Sequence, residues 1–137
     1  MAPYRIILDS GAVSALAQEK GSIRVALQTA LREGAHILIP TPVITESTTG
    51  NGVRDARTNR VIKAADLLIL DEPVARAAAT LRHRTRSAGT IDAMVVAFGD
   101  AVPGSIILTG DVRDLQALAT YQNKTTIIDI SDLLKAR

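Results

Sequence analysis

Arg5-Ile6-Ile7-Leu8-Asp9-Ser10-Gly11 is a short apolar run that stops at an acid, a hydroxyl and a glycine. Isoleucine and leucine in unbroken succession, with no polar alternation, suit a strand buried on both faces. Beyond it, Val13, Leu16 and Ala17 recur at helical spacing. The same unit returns along the chain, with strands expected at His36 to Ile39, Leu67 to Leu70, Ser105 to Leu108 and Thr125 to Ile128. Helical spacing reappears in Val25, Leu27 and Leu31 and in Val74, Ala77, Ala78 and Leu81. Helix starts are marked by Ser10, Ser22, Thr41 followed by Pro42, Pro73, Thr90 and Ser131, and Gly34 and Gly104 fit the breaks that return the chain to a strand. Strands alternating with helices require crossovers, so the expected architecture is a three-layer α/β domain with a mostly parallel central sheet.

The chain has 137 residues, 47% of them hydrophobic, enough for one core and one domain spanning residues 1–137. It has no cysteine, which excludes disulfides and thiolate metal sites. Nothing near Met1 resembles a signal peptide and no segment approaches the ~20 apolar residues of a membrane span, so a soluble, cytoplasmic protein is expected. The net charge is +2, with basic residues concentrated in Arg54 to Lys63 and Arg76 to Arg86, which permits a polyanionic partner. Aromatic residues make up only 2%, so any nucleic acid would be held mainly by its phosphates rather than by stacking.

In open parallel sheets, ligands bind beyond the carboxyl ends of strands, where the winding direction reverses. Asp9, Asp71, Asp111 and Asp129 all follow expected strands. Each is also a plausible helix cap. For Asp9 the neighbouring Ser10 offers an alternative cap, which favours a functional carboxylate; for Asp111 both readings stand. Asp71, followed by Glu72 and Pro73, reads as a routine helix entry, and Asp129 lies near the chain end. Glu46 and Asp92 lie inside expected helices. With Thr41 as the cap, Glu46 falls one turn beyond the capping-box position. Asp92 has Val95 and Val96 one turn on, although the helix dipole alone would also favour an acid there. Carboxylates gathered on a largely buried face repel one another unless a cation compensates, and Mg²⁺ or Mn²⁺ prefers such oxygen ligands.

The segments Ile7-Leu8-Asp9-Ser10-Gly11, Pro42-Val43-Ile44-Thr45-Glu46, Gly89-Thr90-Ile91-Asp92-Ala93 and Leu108-Thr109-Gly110-Asp111-Val112-Arg113-Asp114-Leu115 together resemble the PIN-domain nucleases, specifically the VapC-like toxins of bacterial toxin–antitoxin pairs. The resemblance covers nearly the whole chain. It implies a five-stranded parallel sheet of order 3-2-1-4-5, an acidic cluster of Asp9, Glu46, Asp92 and Asp111, and Asp114 as a further acid. Asp9, Asp92, Asp111 and Asp114 would be metal-associated, with Ser10 and Thr109 as supporting hydroxyls. It further implies a Mg²⁺-dependent endoribonuclease, with Mn²⁺ as a substitute, acting on RNA and neutralised by a VapB-like antitoxin, as a homodimer or within a heteromeric complex. Arg82, Arg84 and Arg86 are candidate phosphate contacts, since an acidic site repels RNA unless cations nearby offset its field. Two other readings remain open: a catalytically silent RNA- or partner-binding domain, and a phosphotransfer protein using Asp9.

Overall fold

The computed structural model describes residues 5–18, 21–85, 89–109 and 126–129, with 21–23 and 126–129 described by backbone alone. Strand β1 (Arg5–Leu8) is the centre of a parallel sheet. On one side it pairs with β2 (His36–Pro40), Ile6 opposite Ile37 and Ile7 opposite Leu38. On the other it pairs with β4 (Ser105–Thr109), Ile7 opposite Ile107 and Leu8 opposite Leu108. β3 (Asp66–Leu68) lies outside β2 and β5 (Thr126–Asp129) outside β4, giving the order β3-β2-β1-β4-β5 that the resemblance implied. The chain therefore moves outward from β1 to one edge and then returns to the far side of β1. That reversal lies between β1 and β4.

Paired on both sides and covered on both faces, β1 is buried from Ile6 to Leu8, as its unbroken apolar run predicted. β3 departs from expectation. It begins at Asp66 and ends at Leu68, leaving Ile69 and Leu70 outside the strand. Leu67 and Ile69 are exposed rather than buried. An edge strand has a neighbour on one side only, and its burial is correspondingly less complete.

Two helices, α1 (Ser10–Ala17) and α2 (Gly21–Arg32), join β1 to β2. α3 (Thr41–Ser47) and α4 (Ala56–Ala64) join β2 to β3, while α5 (Glu72–Arg84) and α6 (Thr90–Ala101) join β3 to β4. Right-handed crossovers place helices reached by opposite directions of travel on opposite faces. The packing agrees: α1 meets α2 and α4, α5 lies along α6, and α3 touches both α1 and α6. The core gathers Ile7, Ile39 and Ile107 from the sheet against Val13, Leu81 and Val95, all fully buried. Each such side chain contributes about 1.5–3 kcal/mol by leaving water. α6 is buried from Val95 to Gly99, whereas α4 buries no residue completely.

Helix α2 stops where Gly34 adopts φ 94°, a left-handed conformation that glycine takes without a Cβ penalty. The Gly34 N–H then donates to Leu31 O at 3.1 Å and the Ala35 N–H to Ala30 O at 2.9 Å, which satisfies the last carbonyls and turns the chain into β2. At the start of α3 the expected cap is displaced by one residue. Pro40, extended at φ −62° and ψ 136°, is the N-cap, and Thr41 is already helical. The Thr41 hydroxyl instead accepts from the Leu70 N–H at 3.4 Å, so it is used between segments rather than within its own helix. No helix among the described residues is long and apolar enough to cross a membrane.

Candidate active site at the reversal of the sheet

The β1–β4 ladder runs one step past the strand end, because the Asp9 N–H donates to Leu108 O at 3.2 Å. This fixes Asp9 beside Thr109, the last residue of β4. Asp9 is itself the N-cap of α1, extended at φ −85° and ψ −177°, and its Oδ1 accepts from the Ala12 N–H at 2.9 Å. The expectation that Ser10 would cap is therefore corrected: Ser10 is the first helical residue. Capping and a site role are not alternatives for Asp9, because its second oxygen, Oδ2, accepts a hydrogen bond from the Thr109 hydroxyl across the sheet. Both residues are buried, Asp9 at 5% exposure and Thr109 at 0%.

With capping left to Asp9, the Ser10 hydroxyl donates to Glu46 Oε1 at 3.1 Å. Glu46 lies near the end of α3, and its side chain is exposed. Since α3 packs against both α1 and α6, it brings Glu46 to the mouth of the same region. Asp92 is half-buried in the first turn of α6, followed by the fully buried Val95 and Val96. The N-cap of α6 is Gly89, which has no side chain to offer, and a Cβ built there would stand 3.5 Å from Asp92 Oδ2. The Asp92 carboxylate thus folds back over the helix entrance, where the dipole favours it.

Asp111 and Asp114 lie outside the described residues. Among those described, no group of three or more His, Asp or Glu side chains gathers where a metal ion could sit. Asp71 caps α5 by accepting from the Val74 N–H at 3.0 Å and is exposed. It follows one edge strand, and Asp129 ends the other.

The two basic stretches differ in how they are used. Arg82 Nη1 donates to the Thr90 hydroxyl at 3.2 Å, tying the last turn of α5 to the first of α6 close to Asp92. Arg84 is exposed in the same turn, and Arg86 lies outside the described residues. On the opposite face, Ser10 and Glu46 open into a polar cleft of about 300 Å³ between α1, α3 and α4, whose far wall carries Arg54, Arg57 and Thr58.

Sequence reasoning passed over Asp55. Only 5% exposed, its carboxylate accepts from the Thr49 N–H at 3.0 and 2.9 Å, the Thr49 hydroxyl at 2.9 Å and the Gly50 N–H at 2.9 Å. Burial pushes this carboxyl up, but the Thr49 and Gly50 hydrogen bonds and the nearby Arg54 charge outweigh it, and the net shift is downward. Asn51 Oδ1 adds two more bonds, from the Val53 and Arg54 N–H groups at 3.1 and 3.0 Å. The expected loop is therefore internally braced. Its signal was present as Thr49-Gly50-Asn51-Gly52 followed by an acid, a sequence built for side-chain-to-backbone turns.

Neither a protein-family model nor a curated protein matches the sequence. Solved structures do match the fold. A chain of the VapBC2 complex from Rickettsia felis, crystallised with a DNA fragment from its promoter, aligns with TM-score 0.73 and 10% identity over 91% of this chain and 98% of its own. DNA-bound VapBC from Salmonella typhimurium gives 0.72 and 16% identity over 92% and 98%. VapBC-1 from nontypeable Haemophilus influenzae gives 0.69 and 12% identity over 91% and 97%. This chain has the α/β fold found in VapBC toxin–antitoxin complexes.

Proposed function

We propose that this chain is a VapC-like PIN-domain toxin, a Mg²⁺-dependent endoribonuclease neutralised by a VapB-like antitoxin in the cytoplasm. The observation that carries the reading is the placement of Asp9. A buried carboxylate is held at the reversal of a parallel sheet by one bond from its own helix and one from the neighbouring strand. Such bracing fixes a side chain that has to meet a ligand in one orientation.

The donor set suits a hard divalent cation. Asp9 and Asp92 supply carboxylate oxygens from two elements at the sheet's carboxyl edge, and Asp111 and Asp114 complete the proposed holders of Mg²⁺, or of Mn²⁺ in its place. When bound, the ion supplies charge stabilisation to the scissile phosphate and acidifies an attacking water. Thr109 and the α1 amide hold Asp9 in place for it. Glu46, exposed and steadied by Ser10, is suited to orient the attacking water and accept its proton.

An antitoxin requires a docking surface. Between α1, α2 and α4 lies an apolar groove of about 350 Å³, lined by Leu16, Leu27, Leu31 and Val61 and flanked by Arg57 and Arg60. It suits an amphipathic helix with acidic flanks. The test is incubation of purified protein with total RNA and Mg²⁺ followed by end mapping, with EDTA and Asp9→Asn as controls. Discrete cleavage ends that vanish in both controls are expected. No cleavage under any divalent metal, together with undiminished toxicity of Asp9→Asn in cells, overturns the reading.

A further inference from the structure

We propose that the polar cleft between α1, α3 and α4 is a phosphate subsite that holds the RNA backbone beside the scissile bond, with Arg54 and Arg57 as its cations. This rests on the nuclease reading above and adds where the substrate strand runs. The cleft is continuous with the candidate active site, because Ser10 and Glu46 form its near wall. Its far wall presents two exposed guanidinium groups that, among the described residues, make no side-chain hydrogen bond or salt bridge. Arg82, the cation expected to meet RNA on the other side, is already engaged with Thr90.

Two further features fit an anion here. Ser47 Oγ, which lines the cleft, is buried without a hydrogen-bond partner among the described residues. Buried hydroxyls are seldom left so, and a phosphate oxygen would satisfy it once the cleft wall shifts to admit it. The backbone carrying Arg54 is fixed by Asn51 Oδ1 and, through the same loop, by the buried Asp55. A pre-ordered backbone loses little freedom on binding, leaving only the side chain to be ordered. The cleft is thus acidic at the end of α3, where Glu46 stands, and basic at α4 and the turn before it. A phosphodiester chain laid along it would set a phosphate against the arginines and lead past Ser10 and Glu46 toward Asp9. Contacts of this kind set register and orientation without reading base identity.

The test has two arms, both in the Asp9→Asn protein so that RNA stays intact. In the first, inorganic phosphate is titrated in EDTA while arginine Nε–Hε resonances are followed by NMR. The Arg54 and Arg57 signals should shift, and those of Arg32 should not. In the second, binding of a short labelled single-stranded RNA is measured by anisotropy across a salt series. Arg54→Gln and Arg57→Gln should each weaken binding several-fold at low salt and reduce the salt slope by about 0.7, equally for different sequences. Arg57→Lys should keep the slope, and Arg32→Gln should change nothing. Thermal melts of the variants check folding. Unshifted Arg54 and Arg57 signals, or an unchanged slope in both glutamine variants, overturn the subsite even if the wild-type protein cuts RNA. Phosphate binding at these arginines in a protein that cuts no RNA sinks the nuclease reading and, with it, the place beside a scissile bond, leaving only a phosphate site.

Discussion

Asp9 and Asp71 begin as the same local device. Each follows a strand segment, adopts an extended backbone, at φ −85° and ψ −177° or φ −104° and ψ 175°, and accepts from the N–H three residues on, at 2.9 or 3.0 Å. What separates them is the sheet. Asp9 leaves the central strand and finds Thr109 of β4 alongside, so its second oxygen is taken up across the sheet and the carboxylate is buried. Asp71 follows the edge strand β3, and its carboxylate stays exposed. A third acid completes the contrast. Asp55 stands at the N-cap of α4 but makes no side-chain cap bond, because its carboxylate turns back onto Thr49 and Gly50. Identical chemistry at three helix entries therefore serves a cap tied across the sheet, a plain cap and a loop brace.

The contrast breaks most sharply if Asp9 proves to be a cap and nothing more. Asp9→Asn keeps a capping oxygen but removes the charge, and should lower metal-dependent RNA cleavage by roughly a hundredfold or more. Asp71→Asn should leave the rate unchanged. Equal rates in the two variants would erase the distinction.

Stability tests the second oxygen. Asp71→Ala should cost about 1 kcal/mol, the loss of a cap. Asp9→Ala should cost more in urea titrations, about 2–4 kcal/mol, because the fully buried Thr109 hydroxyl also loses its acceptor. A smaller effect is expected from Thr109→Val, which keeps the shape and deletes the donor: about 1 kcal/mol of stability and roughly tenfold in cleavage, if the hydroxyl orients Asp9.

The smallest effect belongs to Asp55 and is read from the pH dependence of stability. Its folded-state pKa lies below its unfolded value, so the stabilisation it contributes is complete above the unfolded value of about 3.9 and is lost as pH falls through the folded one. Asp55→Asn should therefore flatten the acid limb of a stability–pH curve below about pH 4 relative to wild type, whereas Asp71→Asn should not.

Much of the fold was readable from short stretches. The apolar runs found four strands to within one residue and β3 to within two, its end falling short of the apolar pattern at the exposed edge. Gly34 and Gly104 both adopt positive φ, 94° and 72°, where breaks were expected. The capping assignments fared less well. Ser10 and Thr41 were expected as caps, yet Asp9 and Pro40 hold those positions and both hydroxyls reach other segments. A hydroxyl beside a helix start can bond locally or outward, and only its distant neighbours decide.

Periodicity, turn chemistry and the existence of a helix after each of β1, β2 and β3 depend on residues a few positions apart, and the sequence by itself determined them. Which acid acquires a partner across the sheet was decided by tertiary structure alone. Asp9 and Thr109 are separated by 100 residues and become neighbours only because the chain, having run to one edge, returns to the other side of β1. Asp71, with the same local sequence logic, was left at the edge. No short-range pattern encodes that difference, because it lies in the order of the strands and not in the strands themselves.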